Sequence, residues 1–445
     1  MNDPPRAILT RRRVLVNTVR GALAAGGLVP AAARGAEPPI KPGAAGSSAP
    51  GYRIQLDVII QGYDRKTDWF QPRVGVIPPS AVVVTMTKAQ LWGSDIFTAV
   101  QEMRSDDFGR TWSPPRAHAT LDRRKLPGGA ETCPCDLTPA WHAKTGKLLM
   151  TGHTANYRSG ARGGLILDNT LTRDTSYSVY DADKRTWAEW KTLDLPDREH
   201  FFWAMAGCTQ RVDLPNGEIL LPLYCMDRKT VGNNFWRGCF FATVARCAFD
   251  GSTLRYLGHG NEMSVPTPRG FCEPSLTQFQ GRFYLTLRND VKGYVTVGRD
   301  GMQFEKPVPW TFDDGRELGS YNTQQHWVTH TSGLFLAYTR RGANNDHVIR
   351  HRAPLFLAQV DPQRLCVIRG TERELVPNHG AQLGNFGTVN ASPAESWVIT
   401  SEGMQGDAGH PMDLALTEQR GANARVYLAR IRWDKPNRLV TWWKP

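Results

Sequence analysis

The segment Ser320-Tyr321-Asn322-Thr323-Gln324-Gln325-His326-Trp327 gathers a phenol, an imidazole and a run of hydroxyl and amide side chains ahead of a strand. That composition suits the lip of a polar pocket, where Tyr321 and His326 could move protons. It suits a hydrogen-bonded structural cluster equally. Cys133-Pro134-Cys135 is an isolated pair and falls short of a metal site, which needs further ligands. No His/Asp/Glu cluster has metal-ligand spacing, so no cofactor and no metal are expected. The eight cysteines read mainly as small buried hydrophobes. An oxidising destination would also permit disulfides.

The elements that must position such groups are strands. Short apolar or alternating runs recur, as in Ala81-Val82-Val83-Val84-Thr85-Met86, Gly217 to Leu223, Arg282 to Leu287 and Trp397 to Thr400, while helical periodicity is nearly absent. Ile96 to Met103 reads as a strand as well. It leads into Ser105-Asp106-Asp107-Phe108-Gly109-Arg110-Thr111-Trp112. Asp106 and Asp107 can accept from nearby backbone amides, and Gly109 can take a positive φ. Thr111 and Trp112 are expected to restart a strand that Pro114-Pro115 stops. Weaker copies of the turn centre on Asp181, Asp250, Asp300, Asp361 and Asp434, at steps of 74, 69, 50, 61 and 73 residues from Asp107.

The S-x-D-x-G-x-T-W pattern resembles the Asp-box, the bacterial neuraminidase repeat of sialidase-type β-propellers. The resemblance implies an all-β fold, and a spacing of roughly 65 residues suits one four-stranded blade per copy. A six-bladed β-propeller of sialidase type, spanning residues 51–445 as one domain, is therefore expected. An Asp-box normally lies away from the chemistry, so these residues are expected to be scaffold.

The same resemblance suggests a site. Sialidases hold a substrate carboxylate with three arginines, and add an Asp acid/base and a Tyr nucleophile helped by a Glu. A guanidinium grips a carboxylate in two-pronged fashion and stays charged, and a carboxylic acid protonates a leaving oxygen. Pro72-Arg73-Val74-Gly75-Val76-Ile77-Pro78 stands where the family has its Arg-Ile-Pro motif. Asp95 lies in the next loop, the family's place for the acid/base. Cys272-Glu273-Pro274-Ser275-Leu276, followed by Gly281 to Arg288, is similar to the family's Glu-Pro-Ser strand, turn and strand ending in Arg. It offers Glu273 and Arg288. Arg352 supplies the third arginine, with Arg350 an equal competitor. Counting back from Glu402, itself a candidate contact, puts Phe386 at the Tyr position. Phenylalanine has no oxygen with which to attack a sugar, so Tyr321 becomes an alternative nucleophile.

The chain starts with a segment, residues 1–36, that resembles a twin-arginine export signal: Thr10-Arg11-Arg12-Arg13-Val14-Leu15, an apolar run, then Ala31-Ala32-Ala33. A Pro/Gly/Ala/Ser-rich linker follows over 37–50. A periplasmic or secreted destination is expected. The net charge of +12 falls to about +7 without the leader. No Lys/Arg run interleaved with aromatics marks a nucleic-acid binder, no later apolar run reaches membrane-spanning length, and a monomer is expected. The function these features point to is a sialidase-like glycoside hydrolase acting on an acidic sugar or glycan. Asp95 and Glu273 (or Tyr321) would be catalytic, and Arg73, Arg288, Arg350, Arg352, His326 and Glu402 would bind substrate. A polysaccharide lyase acting beside a uronic acid, with His326, His351, His379 or Tyr321 as base, is the alternative, as is a propeller that binds glycan without turnover.

Overall fold

A computed structural model describes residues 50–93, 95–160, 163–233, 238–406 and 413–442. The leader and most of the linker, 1–49, lie outside the described residues. The described residues from Pro50 onward form one compact unit.

The unit is built from antiparallel meanders. Thr67–Ile77, Ala81–Gln90, Gln101–Ser105 and Arg116–Ala117 make one four-stranded sheet in chain order. Cys272–Phe279, Arg282–Arg288, Tyr294–Gly298 and Val308–Pro309 make another. His326–His330, Gly333–Tyr338 and Leu355–Asp361 carry Cys366–Val367 and Arg373–Val376 on their outer edge. A wide sheet of twelve strands holds two meanders, Glu131–His142 to Arg173–Asp181 and Ile219–Met226 to Leu254–His259. Among the described residues, strand pairing joins its halves where Trp203 and Ala204 run parallel to Arg173 and Asp174. The last sheet joins the two ends of the described chain: Tyr52–Ile60 pairs with Val426–Trp433, outside Glu395–Ser401 and Gly387–Asn390.

The first strands of successive sheets are neighbours. Thr67–Ile77 lies between Glu131–His142 and Gly387–Asn390, and His326–His330 lies between Cys272–Phe279 and Gly387–Asn390. This is a β-propeller arrangement. Its core sits between adjacent sheets, which explains runs that are apolar on both faces. All eight residues of Ile219–Met226 are buried. Val74, Val76, Val82 and Val84 of the first sheet pack on Trp397, Ile399 and Leu428 of the last. Among the described residues the α-helices are two short ones, Arg228–Val231 and Leu414–Gln419, and no helix is long and apolar enough to cross a membrane. All eight cysteines are free thiols, and all but Cys239 are buried.

The turn over Ser105 to Trp112 folds as its side-chain chemistry dictates. Asp107 Oδ1 accepts from the amides of Arg110 (3.0 Å) and Thr111 (2.8 Å), and Oδ2 from the Thr111 hydroxyl (2.7 Å). The Ser105 hydroxyl donates to Asp107 and accepts the Gly109 amide at 2.7 Å. Gly109 has φ 73°. A Cβ there would lie 2.8 Å from Arg430 Nη2, which donates to the Gly109 carbonyl. The turn thus docks on the last sheet, with the Phe108 ring tilted at 51° against Trp397 and the centroids 4.7 Å apart. Asp181, Asp250, Asp300 and Asp361 repeat the device, each Oδ1 accepting the amides two and three residues on. At Asp434 the device differs, for its amide donates to Gly51 O where the chain ends meet.

Two local expectations are corrected. Of Ile96 to Met103, only the part from Gln101 is strand. Residues 96–100 form a buried loop, and the Phe97 amide donates to the Tyr157 hydroxyl rather than to a ladder. Thr111 and Trp112 do not restart a strand. Pairing resumes at Arg116–Ala117, beyond two prolines that have no N–H to give.

Candidate active site

The strands nearest the axis break register at one end. Bulges lie between Phe70 and Arg73, between Cys135 and Thr138, and between Cys272 and Ser275. The extra residue in each takes the left-handed conformation: Gln71 (φ 55°), Asp136 (52°) and Glu273 (42°). Cys208 (58°) and Asn322 (50°) do the same beside their own first strands. Such backbone is costly for side chains other than glycine and concentrates where function over-determines it.

These bulges aim side chains into a shared cluster. Arg73 is 1% exposed. Its Nη1 donates to the carbonyls of Pro72 (3.0 Å) and Asn385 (3.2 Å), and its Nη2 stands 3.6 Å from Asp136 Oδ1. Arg288 ends its strand in an ion pair with Glu273, donates to Asn322 Oδ1 at 2.7 Å and faces Asp290 at 3.7 Å. Burial alone would lower its pKa, but Glu273 and Asp290 outweigh burial and hold it above the ordinary value. Arg352 is buried against neutral partners, the Asn322 carbonyl and Gln382 Oε1 (2.9 Å). Burial first, then the charges of Arg350 and Arg288, push it well below the usual arginine value. Arg350, at φ 55°, is lowered by burial and by Arg288 and Arg269. This is a concentration of positive charge that an anion would relieve.

Several buried polar atoms here have no hydrogen-bond partner among the described residues: Arg73 Nε and Nη2, Asp136 Oδ1, Glu273 Oε2, Arg288 Nε and His326 Nε2. Buried polar groups are nearly always satisfied, so such a set marks a place for a polar ligand. Asp136 is the candidate that sequence reasoning missed. Burial pushes its carboxyl up to about 6, against the opposing pull of Arg73, and the charges of Glu273 and Asp95 act on it too. A carboxyl near neutrality suits proton transfer. The correspondence shows only in the structure, where Gln71-Pro72-Arg73, Asp136-Leu137-Thr138 and Glu273-Pro274-Ser275 occupy equivalent bulges.

The other candidates fall as follows. Asp95 is exposed at φ 54°, its carbonyl accepts from the Tyr157 hydroxyl at 2.8 Å, and its charge is felt at both Arg350 and Asp136. His326 is buried, bonded through Nδ1 to Ser275 Oγ at 2.8 Å, and kept neutral by burial and by Arg73. The Phe386 ring meets it edge-on at 5.1 Å and is itself fully buried. Tyr321 is half-buried beside Arg350 and Arg352, its hydroxyl 2.6 Å from His351 Nδ1. Glu402 stands in a hydrogen-bonded cluster with the chain near Tyr427. It is 1% exposed, and accepts from the amides of Asn423 and Arg425, the Arg425 guanidinium and the Tyr427 hydroxyl. His379 is bonded to that same Tyr427 and stands in this second cluster.

The segment that carries Phe386 is bracketed by glycines for a steric reason. A Cβ on Gly384 would lie 2.4 Å from Arg352 Cδ, and one on Gly387 2.6 Å from Arg73 Cδ. Gly387→Ala is therefore expected to push Arg73 off Asn385 and Asp136. Titration with an acidic monosaccharide should show affinity down at least tenfold, with a stability loss of about 1–3 kcal/mol from overpacking. Unchanged affinity would separate Arg73 from the ligand.

No family model and no curated protein sequence matches the chain. Solved structures do. A protein of unknown function from Dyadobacter fermentans is similar over 86% of this chain and all of its own, with a TM-score of 0.57 at 15% identity. The NanB sialidase of Streptococcus pneumoniae (K499G mutant) matches 84% of this chain and 70% of its own, with a TM-score of 0.56 at 11% identity. The Trypanosoma rangeli sialidase matches 86% of this chain with a TM-score of 0.53 at 13% identity. This chain spans 60% of that sialidase's length. At such identities the likeness is one of fold: the chain has a sialidase-like β-propeller arrangement.

Proposed function

We propose that the protein is an exported glycoside hydrolase that removes an acidic sugar from a glycan. The observation that carries this reading is the meeting of Arg73, Arg288, Arg350 and Arg352 with the buried carboxylates of Asp136 and Glu273, each of which keeps an oxygen that accepts no hydrogen bond among the described residues, on a sialidase-like fold. The arginines hold the sugar carboxylate. Asp95 protonates the leaving oxygen, and Glu273 or Asp136 stabilises the positive charge that develops on the ring. The reading takes the wide sheet as two blades, supported by its single parallel join, and so counts six blades closed by the paired chain ends. The twin-arginine segment supports export to the periplasm or beyond, and the protein is taken to act as a monomer.

The test is a panel of sialosides, uronides and ulosonic-acid glycosides, scored for released reducing sugar. Release of one acidic sugar, abolished in Arg352→Ala, is the expected result. No release from any acidic glycoside, with neutral glycosides cleaved instead, would sink the reading.

A further inference from the structure

Asp95 is exposed and takes a left-handed conformation without being a glycine, at φ 54°. Such backbone persists only where its surroundings fix it. Its own sheet holds the loop at the base, where the Gln90 amide donates to the Ile96 carbonyl at 2.9 Å. The rest of the hold comes from the wide sheet. Tyr157 ends the strand Lys147–Tyr157, which pairs with Glu131–His142, the strand that carries Asp136. Its hydroxyl donates to the Asp95 carbonyl at 2.8 Å and accepts the Phe97 amide at 3.2 Å. One oxygen thus grips the loop on both sides of Ile96. The Tyr157 side chain is fully buried, and burial above all raises its phenol well past the ordinary value. It therefore keeps the proton that it shares with Asp95 at any working pH. Arg123 completes the grip. Its guanidinium lies over the Tyr157 ring at 3.9 Å, and its Nε and Nη2 donate to the Phe97 carbonyl at 2.8 and 2.6 Å. Glu131, on the strand of Asp136, pairs with Arg123 at 3.0 Å.

We infer that Tyr157, locked by Arg123, is a positioning residue for the acid: it fixes Asp95 relative to Asp136 across the boundary between two sheets. The inference rests on the glycoside hydrolase reading. Tyr157 touches no substrate, and its effect passes through the backbone of Asp95. That effect has a signature in the leaving group. A sugar departs as a strongly basic alkoxide and needs a proton as its bond breaks, whereas an aryl group departs as a stable phenolate. A misplaced acid therefore slows cleavage of a sugar leaving group and spares an aryl one. A merely structural loss slows both alike.

The experiment uses the full chain with two substrates, sialyllactose and a 4-methylumbelliferyl sialoside, or the corresponding uronide pair if the panel selects a uronic acid. Tyr157→Phe keeps the ring under Arg123 and removes only the hydroxyl. It should lower kcat/KM about a hundredfold on sialyllactose and less than about threefold on the aryl glycoside. Arg123→Lys should shift the same ratio in the same direction, and it decides the matter if Tyr157→Phe does not fold. In an Asp95→Asn background, Tyr157→Phe should lower kcat/KM on sialyllactose by less than about twofold more, because the group it positions is already gone. Equal losses on the two substrates, full activity on both, or losses that multiply with that of Asp95→Asn overturn the inference and leave the hydrolase reading standing. An Asp95→Asn protein with full activity on sialyllactose overturns it too. No turnover of any acidic glycoside by wild type removes both.

Discussion

Arg288→Ala is expected to destabilise the protein by about 3–5 kcal/mol and to abolish binding of an acidic sugar. The stability loss follows from what the guanidinium leaves behind. Glu273 and Asp290 face it in a buried setting, and Glu273 Oε2 already has no hydrogen-bond partner. Removing one member of a buried ion pair strands the other charge, which costs more than the pair itself contributed. Arg352→Ala makes the contrast. Its hydrogen-bond partners are neutral, and the repulsion of Arg350 and Arg288 outweighs the attraction of Glu273 and Asp290. Its loss relieves repulsion while opening a cavity beside Gly384. Stability should change by less than about 2 kcal/mol while binding still fails. Urea denaturation at pH 7 with titration of ligand separates the two. Adding Glu273→Gln to Arg288→Ala should recover part of the stability. An Arg288→Ala protein as stable as wild type would show that the pair is not buried.

Asp68 is expected to make the fold weaken as pH rises from about 4 to about 7. It is buried on Thr67–Ile77, accepts the Met404 amide through Oδ2 at 2.8 Å, and its Oδ1 has no hydrogen-bond partner among the described residues. Burial, reinforced by the nearby Asp64 charge, pushes its carboxyl from 3.8 up to about 7. The native state thus holds a proton that the unfolded chain releases near pH 4. The contribution is complete below the unfolded value and is lost as pH climbs through the folded one. At about 1.4 kcal/mol per pKa unit, the loss is a few kcal/mol. Asp136 adds a smaller fall of the same sign, ending near its own value of about 6. Asp68→Asn keeps an oxygen for Met404 and carries no charge, so it should flatten most of the profile and raise stability at pH 8. Denaturation midpoints for both proteins at pH 5 and pH 8 test this. A wild-type profile that is flat over that range refutes it.

The architecture was legible where a local rule governs a local shape. Asp107 and its echoes could be read because an aspartate that caps backbone amides needs only its own neighbours. Glu273 and Arg288 were legible because a tight turn brings the two strands into a pair. Asp136 was hidden between apolar and cysteine residues, since a bulge that reverses one side chain leaves no mark on periodicity. The bonds of Glu402 could not be read for a different reason. It follows a strand at the right count, but the loop over 421–425 claims both its oxygens. Tyr321 and His351 are thirty residues apart, and only the return of the chain past the axis unites them.

The pairing of Tyr52–Ile60 with Val426–Trp433 has a consequence for biogenesis. Among the described residues, the last sheet takes its outer strand from upstream of every other sheet and that strand's partner from downstream of them all. A growing chain therefore holds Tyr52–Ile60 without its partner until Val426–Trp433 has been made. The meanders between them need only local pairing, but this seam joins strands more than 360 residues apart. Closure of the arc is thus the most non-local event in the fold, and it waits on the strand that comes last among the sheets.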